Sequence, residues 1–391
     1  MILIIPLTIL SISFVTLSLY TFFTIKYRNG GRPNQEEHPG KPFPKVSILK
    51  PMRKIDDEIE KNIESYFLLD YPRYEILFGV DSMKDPIVEI ISKIQSKFPR
   101  VSTKVIETGH ANNGNPKIHK LALLAEEAVG TLYWVSDSNI RVEKDTLEKL
   151  VNEYLQKDAK IIFSPIRTAG SWTIGSIIEN AYITHFVSGN VISAWKLFKQ
   201  QIVIGKSILV ERDTLNYFGG FSYFRDYLAE DYIMGEAYTN SKIPISINFT
   251  WVTNVNRTTT IKESFLRMER WAKLRFNLKT PLYIMEIFLN PIMLALIFSL
   301  FLGKKLGLMV FSGTLLLKIL LEIISFLVLN KEDRRKFRVI AMLPFCILLK
   351  DILLFIIYFI PFFSRTVDWR GGKIKIGRHT LIHPHPEKTL I

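Results

Sequence analysis

Cysteine is nearly absent. The single one, Cys346, sits inside an apolar run, so the chain can form no internal disulfide and no zinc site built from several thiolates. Alone in apolar surroundings it behaves as a small hydrophobe. Two glycine-rich phosphate-binding patterns are missing as well. Without G-x-G-x-x-G a dinucleotide-dependent oxidoreductase has no support, and without G-x-x-x-x-G-K-[ST] a P-loop has none. Acid is the scarcer charge: 37 Asp and Glu against 51 Lys and Arg leave a formal charge of +14. Such a balance favours anionic partners, whether nucleic acid, anionic lipid surfaces or phosphorylated substrates. The basic residues gather beside apolar segments instead of forming one stripe, which speaks against nucleic acid.

Charge is also missing from Met1 to Thr24, which is long enough and apolar enough for a membrane helix. A cleaved signal peptide fits less well, because no positive n-region precedes the run and Phe22 and Phe23 stand where small residues would be cut. Lys26, Arg28 and Arg32 follow at once, so the positive-inside rule puts the next domain in the cytoplasm. The expected organisation is an anchor at 1–25, a basic linker at 26–44, a cytoplasmic domain at 45–280, transmembrane or re-entrant segments at 281–363, and a basic tail at 364–391. The chain of 391 residues leaves room for a domain of roughly 200–250 residues beside its membrane segments.

Within 45–280, short β-rich runs alternate with amphipathic ones. Strands are expected at Val46 to Leu49, Glu75 to Val80, Val101 to Ile106, Thr131 to Ser136, Ile161 to Ser164 and Ile202 to Glu211. Helices are expected at Asp56 to Leu69, Pro86 to Phe98, Lys117 to Ala128, from Leu228 to about Tyr238, and from near Thr260. That alternation predicts an α/β fold with a parallel, doubly wound sheet. The central stretch is Thr131 to Arg141, where a buried strand stops at Asp137-Ser138-Asn139. Ligands of open α/β sheets lie beyond the carboxyl ends of strands, and an acid there suits a hard divalent cation that carries phosphate. Taken by itself, the tripeptide fits a helix-capping Asp better. A second strand also ends in an acid, at Asp81. Between the two lies Asn112 to Lys117, where Pro116 near a first turn and Lys117 beside exposed amides suit a phosphate; a plain turn with a solvated Lys suits the loop equally.

Further along, Arg267, Arg270 and Trp271 fall at i, i+3 and i+4 of one helix and share a face. Two guanidiniums and an indole suit a diphosphate beside an apolar or sugar surface; an ion-paired interfacial helix is the simpler reading of the cluster alone. The segment Asn180 to Lys199, rich in aromatics, reads as a core helix or as a membrane-surface or acceptor-groove element; His185 within it is assigned no role. Three apolar stretches follow: Pro281 to Leu302, Leu306 to Leu329 and Val339 to Phe363. The second carries Lys318 and Glu322 at i, i+4, a spacing that lets them neutralise each other in a membrane, and the third carries Lys350-Asp351 at its middle. Four full spans would leave the basic tail outside, so one C-terminal segment, with the last as the candidate, is expected to be re-entrant or interfacial.

Asp81, Asp137, Asp231 and Arg267-x-x-Arg270-Trp271 thus stand in order. With Asn115-Pro116-Lys117, Asp137-Ser138-Asn139-Ile140-Arg141, Ala229-Glu230-Asp231-Tyr232, Arg270-Trp271-x-Lys273-Leu274-Arg275 and the tail Arg365-Thr366-Val367-Asp368-Trp369-Arg370, the chain resembles the inverting glycosyltransferases of the processive-synthase superfamily. It looks most like the ceramide glucosyltransferase family. The resemblance implies a GT-A (Rossmann-like) fold, a UDP-sugar donor such as UDP-glucose, and a ceramide-like lipid acceptor. It implies that Asp81 contacts the uracil-ribose part, that Asp137 holds Mg²⁺ or Mn²⁺, and that Asp231 is the catalytic base. Arg267, Arg270 and Trp271 would line the diphosphate and acceptor side. Asp-Ser-Asn replaces the family's Asp-x-Asp. Another sugar or another lipid, such as a hopanoid or a diacylglycerol, is the alternative. A processive polysaccharide synthase fits less, since it needs more spans and carries Gln at the position of Arg267.

Overall fold

The computed structural model describes residues 4–30, 43–53, 55–200, 202–369 and 372–383. Arg32, most of the expected linker, Arg370 and the last residues of the tail lie outside them. Helix α1 (Ile4–Lys26) comes first. Strands and helices then alternate as β1 (Val46–Pro51), α2 (Ile59–Phe67), β2 (Tyr74–Val80), α3 (Pro86–Lys97), β3 (Ser102–Glu107), α4 (Pro116–Glu127) and β4 (Leu132–Ser136). Next come β5 (Ile140–Arg141), α5 (Thr146–Lys157), β6 (Ile161–Phe163) and β7 (Ile166–Ala169). Helices α6 (Ile174–Ala181) and α7 (Gly189–Phe198) flank a π-helical stretch, Tyr182–Ser188. Then follow β8 (Ser207–Glu211), α8 (Arg212–Tyr217), α9 (Glu230–Asn240), β9 (Ile245–Ile247) and β10 (Val252–Val255). The remainder is α10 (Ile261–Leu278), α11 (Thr280–Met285), α12 (Pro291–Ser299), α13 (Lys304–Leu329), α14 (Phe337–Phe363) and the strands β11 (Thr366–Trp369), β12 (Gly372–Ile376) and β13 (Ile382–His383).

The chain forms two compact units, and the span 45–280 is divided between them. The sheet unit holds residues 29–166 and 198–255. Its seven strands run in the order β3-β2-β1-β4-β8-β6-β9. β1, β2, β3 and β4 are mutually parallel, and β8 alone runs against its neighbours β4 and β6. The expected α/β architecture is present, with this one reversal. Period-2 alternation puts Ile48, Ile76, Phe78 and Trp134 on one face, packed with Ile63 of α2, Ile91 of α3 and Leu147 of α5. The alternate residues face the other side, where Leu124 of α4 lies against Gly79. Trp134 is fully buried, and its indole N–H donates to Ser207 Oγ at 3.0 Å, so the largest core side chain is also satisfied.

The helical unit holds residues 1–28, 167–197 and 256–391. Three of its helices, α1, α13 and α14, are long and apolar enough to cross a membrane, and α11 with α12 makes a fourth if the pair counts as one bent span. The pair breaks by 65° before Pro291, where the ring removes a backbone donor. The interruption therefore falls in the first C-terminal apolar stretch. α1, α12 and α13 pack together, with Leu10 against Leu294 and Ala295. Helix α14 is unbroken and packs chiefly against α10 and α6. Both of its ends return to polar chain: Asp333 Oδ2 accepts from the Ser171 N–H at 2.9 Å, and Lys273 donates to the Thr366 carbonyl at 2.5 Å.

Candidate active site

The carboxyl edge of the parallel strands gathers the acids that the sequence offered. β2 ends at Val80 before Asp81, and β4 ends at Ser136 before Asp137. Because β8 is antiparallel and pairs Ser207 with Ser136, its approach, Gly205-Lys206, reaches the same edge. Helix α4 starts there too. Asn115 caps it, Oδ1 accepting from the N–H groups of Lys117 at 2.9 Å and Ile118 at 3.3 Å, with Pro116 in the first turn.

Lys117 is the hub. Its Nζ lies 3.1 Å from Asp137 Oδ1 and 3.0 Å from Glu230 Oε1, and donates to the Gly205 carbonyl at 2.9 Å. Burial acts to lower its pKa, but Asp137, Glu230 and Asp231 together raise it above the ordinary lysine value. Asp137 holds Lys206 on its other oxygen at 2.9 Å, and its carbonyl accepts from Lys50 at 3.1 Å. Lys50 is fully buried over the Tyr66 ring at 3.7 Å; burial pushes its pKa down to about 7 against the pull of Asp137 and Asp56. Asp231, in the first turn of α9, is anchored by backbone alone among its hydrogen bonds. Oδ2 accepts from the Gly205 N–H at 2.6 Å and Oδ1 from its neighbour Tyr232 at 2.8 Å. Burial, then the adjacent Glu230, raises its pKa to about 6, while Lys117 and the two N–H groups oppose the shift. A Cβ at Gly205 would stand 2.7 Å from Asp231 Oδ2, so only glycine permits this approach. Glu230 also accepts from Asn115 Nδ2 at 3.0 Å. Asp81 pairs with Lys120, one turn along α4 from Lys117, at 2.5 Å and with His110 at 3.5 Å.

Among the described residues no three His, Cys, Asp or Glu side chains converge on a metal position. A single carboxylate suits Mg²⁺ or Mn²⁺ where phosphate oxygens complete the shell. The local charges favour that arrangement. Lys50, Lys117, Lys120 and Lys206 already face Asp81, Asp137, Glu230 and Asp231. An entering diphosphate adds negative charge that this cluster does not balance. Asp137 already meets Lys117 on one carboxylate oxygen and Lys206 on the other, so a divalent cation held there would have to take most of its ligands from elsewhere.

The second predicted cluster lies in the helical unit. Thr260 caps α10 in a reciprocal box with Glu263, and Arg267, Arg270 and Trp271 follow on one face. Arg267 is ion-paired with Glu179 of α6, which is buried, and Trp271 stacks on Tyr182 with ring centroids 5.6 Å apart. Arg270, between them, is half-buried. One turn on, Arg275 donates to Glu286 at 2.8 Å and to the Tyr182 hydroxyl at 3.0 Å. Thus Lys117, Asp137 and Asp231 share one cluster with Asp81 one helical turn away, while the Arg/Trp motif belongs to α10.

Sequence reading missed Lys206, Gly205 and Lys50. Gly205 was expected inside a strand from Ile202, but β8 begins only at Ser207, and the glycine occupies the turn before it. The available signal was the Gly-Lys pair at the mouth of a strand. Glu179 carried none, because its partner lies far along the chain.

The sequence profile described as glycosyl transferase family 21 matches residues 4–382. Ceramide glucosyltransferase 3 of Caenorhabditis elegans is 28% identical over 248 residues, covering 62% of this chain and 53% of that protein. Ceramide glucosyltransferase 1 of the same organism is 24% identical over 357 residues, 88% of this chain and 74% of that one. The chain spans 53% of the length of the first relative and 44% of the ceramide glucosyltransferase of Candida albicans, to which it is 27% identical over 52% of its own length. Among solved structures, a mannosyltransferase from Pyrobaculum calidifontis in complex with GDP-Man and Mn²⁺ aligns over 89% of this chain and 98% of that chain, with a TM-score of 0.48 and 14% identity.

Proposed function

Because the chain belongs to glycosyl transferase family 21, we propose that it is a membrane-bound inverting glycosyltransferase that moves glucose from UDP-glucose to the primary hydroxyl of a ceramide-like lipid. The observation that carries this reading is the Asp231 carboxylate, held by two backbone N–H groups beside the Lys117 hub. A carboxylate so held keeps lone pairs for an incoming proton, and a pKa near 6 suits a base working close to neutrality.

In the step itself the acceptor oxygen bonds to the anomeric carbon as the bond from that carbon to UDP breaks. The hydroxyl proton passes to Asp231, and the anomeric configuration inverts. Lys117 meets the charge that grows on the leaving diphosphate, and Lys206, on the other oxygen of Asp137, helps bind the donor. A divalent cation bound at Asp137 would add Lewis-acid stabilisation of that same charge. Asp81, oriented by Lys120, takes the uracil-ribose end, and Arg267, Arg270 and Trp271 take the diphosphate and acceptor side.

The same reading extends to topology. Residues 45–166 and 198–255 lie on the cytoplasmic side, where Lys26 and Arg28 put them by the positive-inside rule. The bundle of α1, the bent pair and α13 supplies three crossings, and α14 lies along the interface against α10 and α6. Lys331 to Arg338 and the basic tail then share the cytoplasmic face, which removes the parity conflict of four spans. The packing of α14 and the return of both its ends to polar chain support this arrangement.

The test is a panel of UDP-sugars with Mg²⁺ or Mn²⁺ and ceramide, applied to detergent-purified protein and read by mass spectrometry. Hexosylceramide formed from UDP-glucose, and lost in Asp231→Asn while UDP still binds, is the expected result. Product with a hopanoid or diacylglycerol but not with ceramide corrects the acceptor. Full transfer by Asp231→Asn removes the base.

A further inference from the structure

The cations of the helical unit come in two kinds. Those inside the bundle are matched: Lys318 and Lys350 share Glu322 and Asp351 in a closed, buried ring that is neutral as a whole. Those at the C-terminal end of α10 are not. There the end of α10, the start of α11 and the chain that follows α14 line a cleft of ≈ 510 Å³. Its lining carries Lys279, Arg365, Arg378 and His379, and no Asp or Glu. Among the described residues neither the Arg365 nor the Arg378 guanidinium has an ion-pair partner.

The fold of the tail puts these arginines together. β11 and β12 pair antiparallel, so Arg365, just before the first strand, and Arg378, just after the second, meet at one end of the hairpin. The turn that presents Arg378 is strained. His379 and Thr380 both lie in the left-handed region, at φ 53° and 62°, although neither is glycine. Such conformations persist only where the surroundings over-determine them. Here the Gly377 N–H donates to the Leu381 carbonyl at 2.8 Å and the Thr380 N–H to the Gly377 carbonyl at 3.1 Å. Lys273 of α10 holds the hairpin from the other side through the Thr366 carbonyl.

Beside the cleft the surface turns apolar. Leu282 and Ile284 of α11 are exposed, and so is Phe363 at the end of α14, at 89%. Phe276 joins the two regions: it lines the cleft, and its ring packs on Phe362 with centroids 5.1 Å apart. Unmatched cations next to large open apolar side chains suit an amphiphile.

We propose that this cleft binds the head of an anionic phospholipid, whose phosphate oxygens accept from Arg365 and Arg378 while its acyl chains lie on the apolar side chains of α11 and α14. Guanidiniums match phosphate geometry. A phosphocholine head would bring a cation of its own into a lining without acid. A soluble phosphate would satisfy the arginines and leave the apolar rim open. The volume admits a whole phosphoglycerol head, since a single water needs only roughly 10–15 Å³ of such space. Of the proposed function, this site requires only that the helical unit lie in a membrane.

The experiment releases the full chain from mixed phosphatidylcholine–phosphatidylglycerol nanodiscs in a native mass spectrometer and counts the lipids that stay bound. Phosphatidylglycerol should be retained over phosphatidylcholine by about tenfold or more. Arg365→Gln with Arg378→Gln should cut that preference about tenfold, whereas Lys304→Gln with Lys305→Gln, the same loss of charge at the exposed start of α13, should leave it unchanged. The parental protein guards against a misfolded variant: in detergent its melting temperature should rise with added phosphatidylglycerol and not with equal inorganic phosphate. Equal retention of phosphatidylcholine, an equal loss in both double variants, or the same rise with inorganic phosphate overturns the proposal. No sugar nucleotide is present, so a failure of glycolipid synthesis leaves this result untouched, and loss of the lipid preference leaves the transferase reading untouched.

Discussion

The molecule has two clusters built from lysines and acids, and they are wired differently. In the membrane ring each of Glu322 and Asp351 touches both Lys318 and Lys350, so all four charges are consumed by one another. At the sheet edge Lys117 is shared among Asp137, Glu230 and the Gly205 carbonyl, and Asp231 is held by N–H groups. A carboxylate saturated by ammonium groups is a poor proton acceptor, whereas one held by backbone dipoles in a buried place is a better one. The ring is thus suited to holding helices, and the edge to chemistry.

The sharpest break in this comparison is to open the ring. Lys350→Leu leaves Glu322 and Asp351 with one cation between them inside an apolar bundle. Removing one partner of a buried pair costs about 3–5 kcal/mol, so the purified protein should melt many degrees lower or fail to emerge monodisperse. Glu322→Gln added to Lys350→Leu leaves the Lys318–Asp351 pair and should recover most of that loss. If the single variant melts like the parent, the ring is not what holds α13 to α14.

At the edge the matching change is Gly205→Ala. Its Cβ would meet Asp231 Oδ2 at 2.7 Å and displace the carboxylate without touching the core. A misplacement of about 1 Å can cost on the order of 10²-fold in rate, so kcat should fall by about that factor with the melting temperature nearly unchanged. A parental kcat would mean that the Gly205 contact does not position the base. A smaller effect is expected at Lys206, which touches Asp137 at 2.9 Å. Lys206→Met should raise the KM for the sugar nucleotide about tenfold, the loss of one charge-assisted contact, while kcat changes less. A fall in kcat with KM unchanged would move Lys206 from donor binding to the transition state.

How much of this could be read beforehand follows from sequence separation. Strands that stop at an acid, the Asn115-Pro116 helix start and the shared face of Arg267 and Trp271 are local patterns, and all are present in the fold. Lys206 and Gly205 were not legible as site residues, because they reach the edge only through the antiparallel pairing of β8 with β4. The ring was half legible. Lys318 and Glu322 show the i, i+4 spacing, but nothing in the sequence says that Lys350 and Asp351 close it from another helix. The apolar stretches were legible, and the bend falls in the first of them, where capping Asn290 precedes Pro291 at a helix start, while Pro344 and Pro361 are retained inside α14.

The smallest effect concerns the proton. Asp231 has its pKa raised from 3.8 to about 6, chiefly by burial, so it acts as a base only once it has lost its proton. Turnover should therefore fall about tenfold for each unit of pH below 6, while the KM for the donor stays flat. The same shift has a stability counterpart of opposite sign. Between the ordinary and the raised pKa the folded protein binds more protons than the unfolded chain, so stability falls as pH climbs through that window. Asp231→Asn removes the ionisation. It should melt with the parent near pH 4 and above it past pH 6, by a few degrees for a shift of about two pKa units, on the order of 3 kcal/mol. A parental enzyme that keeps full turnover at pH 5, or an Asp231→Asn variant whose melting difference ignores pH, would show that Asp231 is ionised throughout. The contrast between an edge that titrates and a ring that is locked would then fail at its most accessible point.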